Sequence, residues 1–327
     1  MTTIVTGASG HVGANLVRSL IAQGRDVRVL VHRNSQPLEG LDVERTRGDV
    51  CDPDSLTRTF QGAEVVYHLA ARVSIEMDNW PALHAVNTIG TRNVVAACIK
   101  CNVRRLVHFS SIDAVEQKPI NIPVNESSPP AEGKHHPPYD RSKAAGEKEV
   151  WAGIARGLDA VIINPTAIIG PYDYQPSHQG QMLMSMAQRK LPALVDGGFD
   201  WVDVRDVVSG AMQAERMAPK GAKYILGGHW ASLSEIARIV EKATGAAAPG
   251  FVCPLWLASA GAPLATASEH LRGHRPLYTR ASIIAINSNR FISYARAITE
   301  LGYNPRPLEE TISDTLRWFA DCGRLPG

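Results

Sequence analysis

The sequence predicts an α/β fold, with a doubly wound parallel sheet followed by a smaller, mostly helical C-terminal lobe. The first observation behind this prediction is the N-terminal stretch, where an apolar run of strand length meets three glycines and a helical pattern follows at once. The second is the alternation of strand-length and helix-length segments as far as Pro171. Such an alternation is typical of a parallel sheet whose strands are joined by helices.

The glycine turn, Gly7-x-x-Gly10-x-x-Gly13, predicts an anion-binding site. A turn between a strand and a helix leaves backbone N–H groups free, and they face the same point as the positive end of the helix dipole. The glycines turn the chain, let a pyrophosphate approach the backbone and let the helix pack close to the strand. The turn therefore indicates a site for a dinucleotide at the start of the chain.

Composition excludes several classes of protein. Lys and Arg number 34 against 32 for Asp and Glu, and a net charge of +2 argues against a nucleic-acid partner. Five cysteines fit a reducing compartment, and Cys98-x-x-Cys101 lacks a second Cys or His pair at a zinc-like spacing, so no metal is expected. The first strand begins at residue 2 and stretch 254–267 is too short to span a bilayer, which predicts a cytoplasmic protein without signal peptide or membrane partner.

The elements after the glycine turn can be predicted in order. Strands are expected at 26–31, 43–47, 64–69, 104–109, 160–164 and 223–226, and helices at 80–100, from Tyr139 and at 180–190. Asp52 is the expected N-cap of a helix that starts at Pro53. These elements predict a dinucleotide-binding domain over 1–170, completed by 201–228, and a substrate lobe made of 171–200 and 229–327.

The end of the second strand bears on the choice of cofactor. NAD is recognised by a carboxylate at this position, but Val31 and His32 offer none. Arg33 follows, and a guanidinium can bind the 2′-phosphate of NADP with two hydrogen bonds. The alternative is a solvated surface arginine. NADP is therefore the favoured cofactor, with NAD possible.

Tyr139 and Lys143 lie four residues apart at the start of a predicted helix, so their side chains share one face. An ammonium near a phenol favours the tyrosinate and is expected to lower the phenol pKa. Such a phenol can exchange a proton with a carbonyl or alcohol while hydride moves to or from a nicotinamide. The lysine can also hold the ribose hydroxyls opposite the phenol.

Taken together, these motifs resemble those of the extended short-chain dehydrogenase/reductases, the epimerase/dehydratase group, over about residues 2–228. The similar stretches are the glycine turn, His68-Leu69-Ala70-Ala71, Asn87-x-x-Gly90-Thr91, Ser110-Ser111, Tyr139-x-x-x-Lys143, Asn164-Pro165 and Val202-Asp203-Val204-Arg205-Asp206. The acid-free second strand is most similar to the dihydroflavonol-4-reductase-like branch. The resemblance implies a Rossmann fold and a homodimer formed by the helices near 80–100 and 139–156.

The resemblance also implies the site residues. Tyr139, Lys143 and Ser111 are the expected catalytic residues, and Ser111 takes this role because the family's usual third hydroxyl position holds Ile112. In the alternative, Ser111 merely caps the strand end. Asp113 is expected to be a turn residue, and His135 and His136 to lie in a solvated Pro-rich loop. The expected cofactor-binding residues are Gly7, Ser9, Gly10, His11, Val12, Gly13, His32, Arg33, Asp49, Val50, Leu69, Ala70, Ala71, Asn87, Ser110, Tyr139, Lys143, Pro165, Ala167 and Ile168.

Three functions remain open from the sequence. The leading one is an NADP-dependent reductase or dehydrogenase of a small or moderately apolar ketone, aldehyde or alcohol. The second is a sugar-nucleotide epimerase that retains its NAD. The third is a dinucleotide sensor without activity, which the intact Tyr139 and Lys143 pair opposes. A sugar-nucleotide 4,6-dehydratase is disfavoured, because that group has Asp-Glu where this chain has Asp113-Ala114.

Overall fold

The computed structural model describes residues 1–74, 79–261 and 279–325. Its strands are β1 Thr2–Thr6, β2 Asp26–Val31, β3 Glu44–Arg47, β4 Val65–His68, β5 Arg105–Phe109, β6 Ala160–Pro165, β7 Ala167–Ile169, β8 Leu194–Val195, β9 Gly198–Asp203, β10 Lys223–Leu226, β11 His229–Ser232 and β12 Val252–Cys253. Its helices include α1 His11–Ala22, α2 Pro53–Phe60, α3 Trp80–Leu83, α4 Thr91–Lys100, α5 Pro138–Ala155, α6 His178–Ala187, α7 Val204–Met217, α8 Leu233–Thr244, α9 Arg280–Ile286, α10 Ala295–Leu301 and α11 Leu308–Asp321.

Seven strands form one parallel sheet in the order β10-β6-β5-β4-β1-β2-β3. The predicted doubly wound sheet is therefore confirmed. The chain leaves β1 towards β2 on one side and returns to β4 on the other side. This reversal opens a crevice at the carboxyl ends of the strands, which is where ligands bind in open α/β sheets.

Helices cover both faces of the sheet, which explains why its central strands are apolar almost throughout. Alternate residues of β1 enter different cores. Val5 packs with α1 and α7 on one face, whereas Ile4 packs with α2, α4 and α5 on the other. The apolar pattern of the central strands follows from this burial, whereas the edge strand β3 is polar and largely exposed. Asp52 caps α2 by accepting a hydrogen bond from Asp54 N at 3.0 Å, as predicted.

The long helix predicted at 80–100 is interrupted. Between α3 and α4 the residues His84–Gly90 form a π-helical turn, a feature that occurs often at functional sites. Gly90 has a packing reason, because a Cβ on it would lie 2.9 Å from Val50 Cγ2. The interruption places Asn87 on the wide turn of the helix, where its side chain faces α5.

The remaining described strands belong to two small sheets, ordered β11-β9-β7 and β12-β8. The expectation of a mostly helical second lobe therefore missed these strands, because β7, β8 and β12 are too short to give a periodic signal. A separate core joins α6, α8 and α11 around Trp201 and Phe319. Strand β10 lies in the large sheet beside β6, which supports the proposal that segment 201–228 completes the first domain.

Within the described part of the chain, no helix combines the length and the apolar character needed to cross a membrane.

Candidate active site

The glycine turn between β1 and α1 packs tightly against the loop that follows β4. Gly7 has a φ of +71°, a backbone conformation that favours glycine, and a Cβ on it would lie 2.6 Å from Ala70 N. A Cβ on Gly13 would collide with the Gly7 carbonyl oxygen. The N-cap Gly10 brings no side chain to the first N–H groups of α1, and the first turn has no acidic residue. The turn therefore fits the pyrophosphate of a dinucleotide.

The side chain of His11 serves the fold in this structure. Its Nε2 lies 3.1 Å from the carbonyl oxygens of Gly170 and Pro171, and Asn15 Nδ2 donates to the same Pro171 oxygen at 2.9 Å. These contacts tie α1 to the loop after β7. Only the backbone of His11 remains in the turn as part of the predicted cofactor site.

At the end of β2 the structure pairs two predicted cofactor residues. His32 Nε2 lies 3.2 Å from Asp49 Oδ2, and both side chains are exposed. Arg33 is also exposed, and within the described ranges it has no ion-pair partner. The loop after β3 thus brings a carboxylate towards the end of β2, but that carboxylate faces His32. Arg33 remains available to a ligand anion.

Asn87 connects the loop after β4 to α5. Its Nδ2 donates to Arg72 O and to Ser142 Oγ, each at 2.9 Å, and its Oδ1 accepts a hydrogen bond from Arg72 N at 2.8 Å. Gly146 lets the two helices approach, because a Cβ on it would lie 2.5 Å from Asn87 O. Asn87 therefore fixes the expected floor of the cofactor site relative to the helix that carries Tyr139.

Ser111 and Asp113 meet directly after β5. Ser111 is buried, and its Oγ donates to Asp113 Oδ2 at 3.0 Å while it accepts a hydrogen bond from Asp113 N at 3.2 Å. Asp113 does form a turn, as the sequence predicts, but its carboxyl also faces the predicted catalytic residues. Burial raises the pKa of this carboxyl, although Ser111, Lys143 and Gln117 act in the opposite direction.

Tyr139 and Lys143 lie in the first turns of α5, next to the end of β5. The Ser111 side chain lies close to the Tyr139 phenol. Lys143 is buried, and its Nζ donates to Phe109 O at 2.7 Å. The structure therefore brings together the three residues that the sequence predicts for catalysis.

The predicted lowering of the phenol pKa is wrong for this structure. Burial, together with the carboxyls of Asp113 and Asp140, raises the Tyr139 pKa, and the nearby Ser111 hydroxyl only partly offsets them. Burial lowers the pKa of Lys143 to about 8, although Glu147 and Asp113 favour its charged form. Because the lysine donates to Phe109 O, its charge acts on that carbonyl and the phenol stays protonated at neutral pH.

Asp140 is a residue of this site that the sequence did not reveal. It follows Tyr139 in the first turn of α5 and is partly buried. Burial first, and then the charges of Asp113 and Glu116, raise its pKa to about 9. An acidic residue in the first turn of a helix is ordinary in a sequence. Its proximity to Asp113 depends on how the loop between them folds, so no local pattern could have shown it.

A buried network of hydrogen bonds holds the backbone of Ser111 in place. Asn164 Nδ2 donates to Ser111 O and to Glu147 Oε1, each at 2.7 Å. Lys223 Nζ on β10 donates to the other oxygen of Glu147 at 2.8 Å. Glu147, one helical turn after Lys143, was not recognised in the sequence, whereas Asn164 belongs to the recognised Asn-Pro motif. The network links α5 to β6 and the edge strand β10.

The other predicted cofactor residues lie near the same crevice or support it. Ser110 Oγ is buried and has no hydrogen-bond partner among the described residues, which leaves it for a ligand. Thr6 Oγ1 accepts a hydrogen bond from Ala70 N at 3.3 Å, so Ala70 and its neighbours adjoin the glycine turn. Of the rest, Ser9 lies in the glycine turn, and Val12, Leu69 and Ile168 pack against the core. Val50 contacts Gly90, and Ala71 is exposed after β4. Pro165 ends β6, and Ala167 begins β7.

The geometry agrees with comparisons against known proteins. The family model described as the NAD dependent epimerase/dehydratase family matches residues 3–227. The chain belongs to this family. It is an NAD(P)-dependent oxidoreductase of the extended short-chain dehydrogenase/reductase type, which confirms the family resemblance and the enzyme class predicted from the sequence.

Several relatives match along almost the whole chain. Sterol demethylase protein B of Methylococcus capsulatus is 36% identical, over 99% of this chain and 100% of that protein. A putative dihydroflavonol 4-reductase of Synechocystis is 33% identical, over 98% of this chain and 94% of that protein, in agreement with the predicted branch. The crystal structure of gox2253 has a TM-score of 0.87 at 31% identity and covers 99% of both chains. The UDP-glucose 4-epimerase of Thermotoga maritima, at 20% identity and a TM-score of 0.80 over 98% of this chain and 99% of that one, shows the common fold alone.

Proposed function

We propose that this oxidoreductase reduces a small or moderately apolar ketone or aldehyde with NADPH, and oxidises the corresponding alcohol in reverse. The observation that carries the proposal is the half-buried Tyr139 side chain beside Ser111 at the crevice of the sheet. A bound nicotinamide supplies or accepts the hydride. The glycine turn would hold its pyrophosphate, and Arg33 would bind the 2′-phosphate.

Tyr139 donates the proton in this proposal. The phenol is protonated at neutral pH, so it can donate to the oxygen of a carbonyl as that oxygen gains negative charge. Oxidation of the alcohol uses the same phenol in its ionised form, as a base, so oxidation should need a higher pH than reduction.

Ser111 positions the substrate oxygen in this proposal, and Asp113 controls which way its hydroxyl donates. With Asp113 ionised, Ser111 Oγ donates to the carboxylate across 3.0 Å. Once Asp113 is protonated, the carboxyl can donate instead and the Ser111 hydrogen turns to the substrate carbonyl. Burial of Asp113 acts towards this second arrangement because it raises the carboxyl pKa. Lys143 would bind the ribose and hold the strand end through Phe109 O.

The substrate class follows from the groups around the phenol. Asp113 and Asp140 place carboxyls near Tyr139, and Arg141 stacks on Trp80 with its guanidinium carbon 4.4 Å from the ring centroid. These carboxyls, neutral or ionised, supply no positive charge to a phosphate, and the Arg141 guanidinium already stacks on Trp80, which disfavours a diphosphate-bearing substrate near this end. Relatives named as a ketoreductase of a farnesyl-bearing dihydroquinoline oxide and as a 3beta-hydroxysteroid-dehydrogenase/decarboxylase, at 27% and 28% identity, act on apolar carbonyl or hydroxyl compounds by those names.

The alternative is an epimerase that keeps its NAD through the reaction. A UDP-glucose 4-epimerase of Mycolicibacterium smegmatis is 32% identical, over 75% of this chain and 83% of that protein, which keeps this alternative open. The absorbance of the purified protein separates the two functions. A reductase loses its cofactor on dilution and oxidises added NADPH, whereas an epimerase retains NAD and consumes none.

The decisive experiment measures NADPH oxidation with a panel of apolar ketones and with UDP-sugars. Tyr139→Phe is expected to lower kcat by about 10²–10⁴-fold, the usual contribution of general acid–base catalysis, and to leave the Kd of NADPH nearly unchanged. Tyr224→Phe is the matched control, because its phenol on β10 bonds Glu300 at 2.6 Å, away from the crevice. Near-normal turnover of Tyr139→Phe would reject the assignment of the proton donor.

A further inference from the structure

A second group of chemically active side chains lies on the long loop between β5 and α5. Glu116 Oε2 is 3.0 Å from His136 Nε2 and 3.8 Å from His135 Nε2. The three potential ligand atoms all lie within 4.8 Å of one another. Neither the proposed reduction nor the family motifs use these residues.

We propose that Glu116, His135 and His136 form a binding site for one divalent transition-metal ion of the Zn²⁺ class. Two imidazole nitrogens and one carboxylate oxygen are a ligand set that such ions accept, with a remaining position for water. Metal–ligand bonds of about 2.0–2.2 Å in a tetrahedron place ligand atoms roughly 3.4 Å apart. The separations of Glu116 Oε2 from the two histidine nitrogens, 3.0 and 3.8 Å, lie close to that value, so small rotations of the side chains would bring these atoms to the spacing of metal ligands.

The carboxylate is already oriented by its surroundings. Glu116 Oε1 accepts a hydrogen bond from Lys118 N at 3.0 Å, and the backbone N–H of Glu116 donates to Pro129 O at 2.7 Å. One oxygen is therefore held by the backbone while the other faces both histidines. Outer contacts of this kind fix the orientation of metal ligands.

The two histidines converge because the chain turns at Gly133. His136 N donates to Gly133 O at 3.0 Å, and the two imidazole rings lie 4.1 Å apart between centroids. A Cβ on Gly133 would collide with the His135 ring, so only glycine lets that ring fold back towards Glu116. His136 is just 12% exposed, whereas His135 is 70% exposed. The His136 imidazole is therefore held within the protein, whereas the His135 imidazole can move in from solvent to complete the metal site.

The site would act on the loop that leads into the catalytic helix. His136 lies two residues before the start of α5, and Glu116 lies shortly after Ser111 and Asp113. A bound ion would join the two ends of this loop beside Tyr139. It would stabilise the folded protein in proportion to its affinity, because the unfolded chain does not hold the three ligands together.

Titration of the chelator-treated protein with Co²⁺ tests the proposal through calorimetry and visible absorption. We expect one equivalent to bind, Zn²⁺ to displace it, and Zn²⁺ to raise the melting temperature. Glu116→Gln and His135→Ala should each weaken Co²⁺ binding by more than about 100-fold, since loss of even an outer partner costs 10–100-fold. His135→Ala removes an exposed side chain, so its folding is not at risk.

Two controls match these variants. Glu132→Gln removes a carboxylate that pairs with Lys148 at 2.9 Å, and His229→Ala removes an exposed imidazole in the second lobe; both should bind Co²⁺ normally. Absence of stoichiometric binding, equal binding by His135→Ala, or a Co²⁺–thiolate absorption band from a cysteine would each overturn the proposal. Glu116 and His136 would then form a hydrogen-bonded pair only. These readouts do not depend on turnover, so they stand apart from the test of the reductase.

Discussion

Replacing Arg33 by alanine tests the proposed preference for NADPH over NADH. Arg33 follows His32 directly after β2, it is exposed, and no carboxylate among the described residues pairs with it. The nearest acid of the predicted adenosine site, Asp49, lies 3.2 Å from His32. Arg33 is therefore the group at this strand end that is best placed to bind a 2′-phosphate.

The expected magnitude follows from this exposure. Hydrogen bonds to charged groups contribute roughly 1.5–3 kcal/mol, and solvent screening at an exposed side chain selects the lower end of that range. A loss of about 1.4 kcal/mol corresponds to a tenfold rise in Kd. Arg33→Ala should therefore weaken NADPH about tenfold and leave NADH nearly unchanged, because NADH has a hydroxyl in place of the phosphate.

The assay is the Kd of both cofactors by fluorescence titration at two salt concentrations. Arg58→Ala, an exposed arginine in the last turn of α2, carries the same charge change and should alter neither constant. The effect of Arg33→Ala should shrink at high salt, as expected for a screened contact. If the wild type binds both cofactors equally, or if the variant keeps its discrimination, Arg33 is a surface charge and NADP is the wrong cofactor.

Three further predictions concern the carboxyls and the subunit contact. Asp140→Asn should raise the free energy of unfolding in urea at pH 8 but not at pH 4. The pKa of the Asp140 carboxyl rises from 3.8 to about 9 on folding, so this group destabilises the folded protein increasingly as the pH rises between those values. An equal effect of the variant at both pH values would contradict the raised pKa. Asp113→Asn should keep most of the activity at neutral pH, because an amide can donate a hydrogen bond to Ser111 Oγ. Asp113→Ala should lose most of that activity. A higher kcat for Asp113→Ala than for Asp113→Asn would reject the role of Asp113. Trp151→Glu, on the exposed face of α5, should convert the predicted homodimer to a monomer in sedimentation. Trp256→Glu changes an exposed tryptophan in the second lobe and should leave the dimer intact. A monomeric wild type would reject the dimer.

The sequence was informative where a function depends on neighbouring residues. The turn at Gly7, Gly10 and Gly13, the helix start at Pro53 and the pair of Tyr139 and Lys143 each consist of residues close in the chain, and each lies where it was predicted. The apolar central strands were equally clear, because burial on both faces leaves little room for polar residues. These parts determine the parallel sheet and the crevice.

The sequence was less informative where a structure depends on distant contacts. The π-helical turn at His84–Gly90 reads as ordinary helix, and the strands β7, β8 and β12, of two or three residues each, have no alternation long enough to detect. The phenol pKa was predicted in the wrong direction, because spacing on a helix shows that Lys143 shares a face with Tyr139 but not that its ammonium bonds Phe109 O. Burial of the phenol, and then the carboxyls of Asp113 and Asp140, decided that outcome.

One loop explains both groups of residues that the sequence left unassigned. Between β5 and α5 the chain folds back on itself, and Val115 pairs with Pro130 in an antiparallel bridge, with Ala131 N donating to Ala114 O at 2.9 Å. This pairing carries Asp113 towards Asp140 and Glu116 towards His136. Because both pairs follow from a single return of the chain, a change that opens the bridge should disturb the acidity beside Tyr139 and the proposed metal site together, whereas Glu116→Gln should remove the metal site and leave the bond between Ser111 and Asp113 intact.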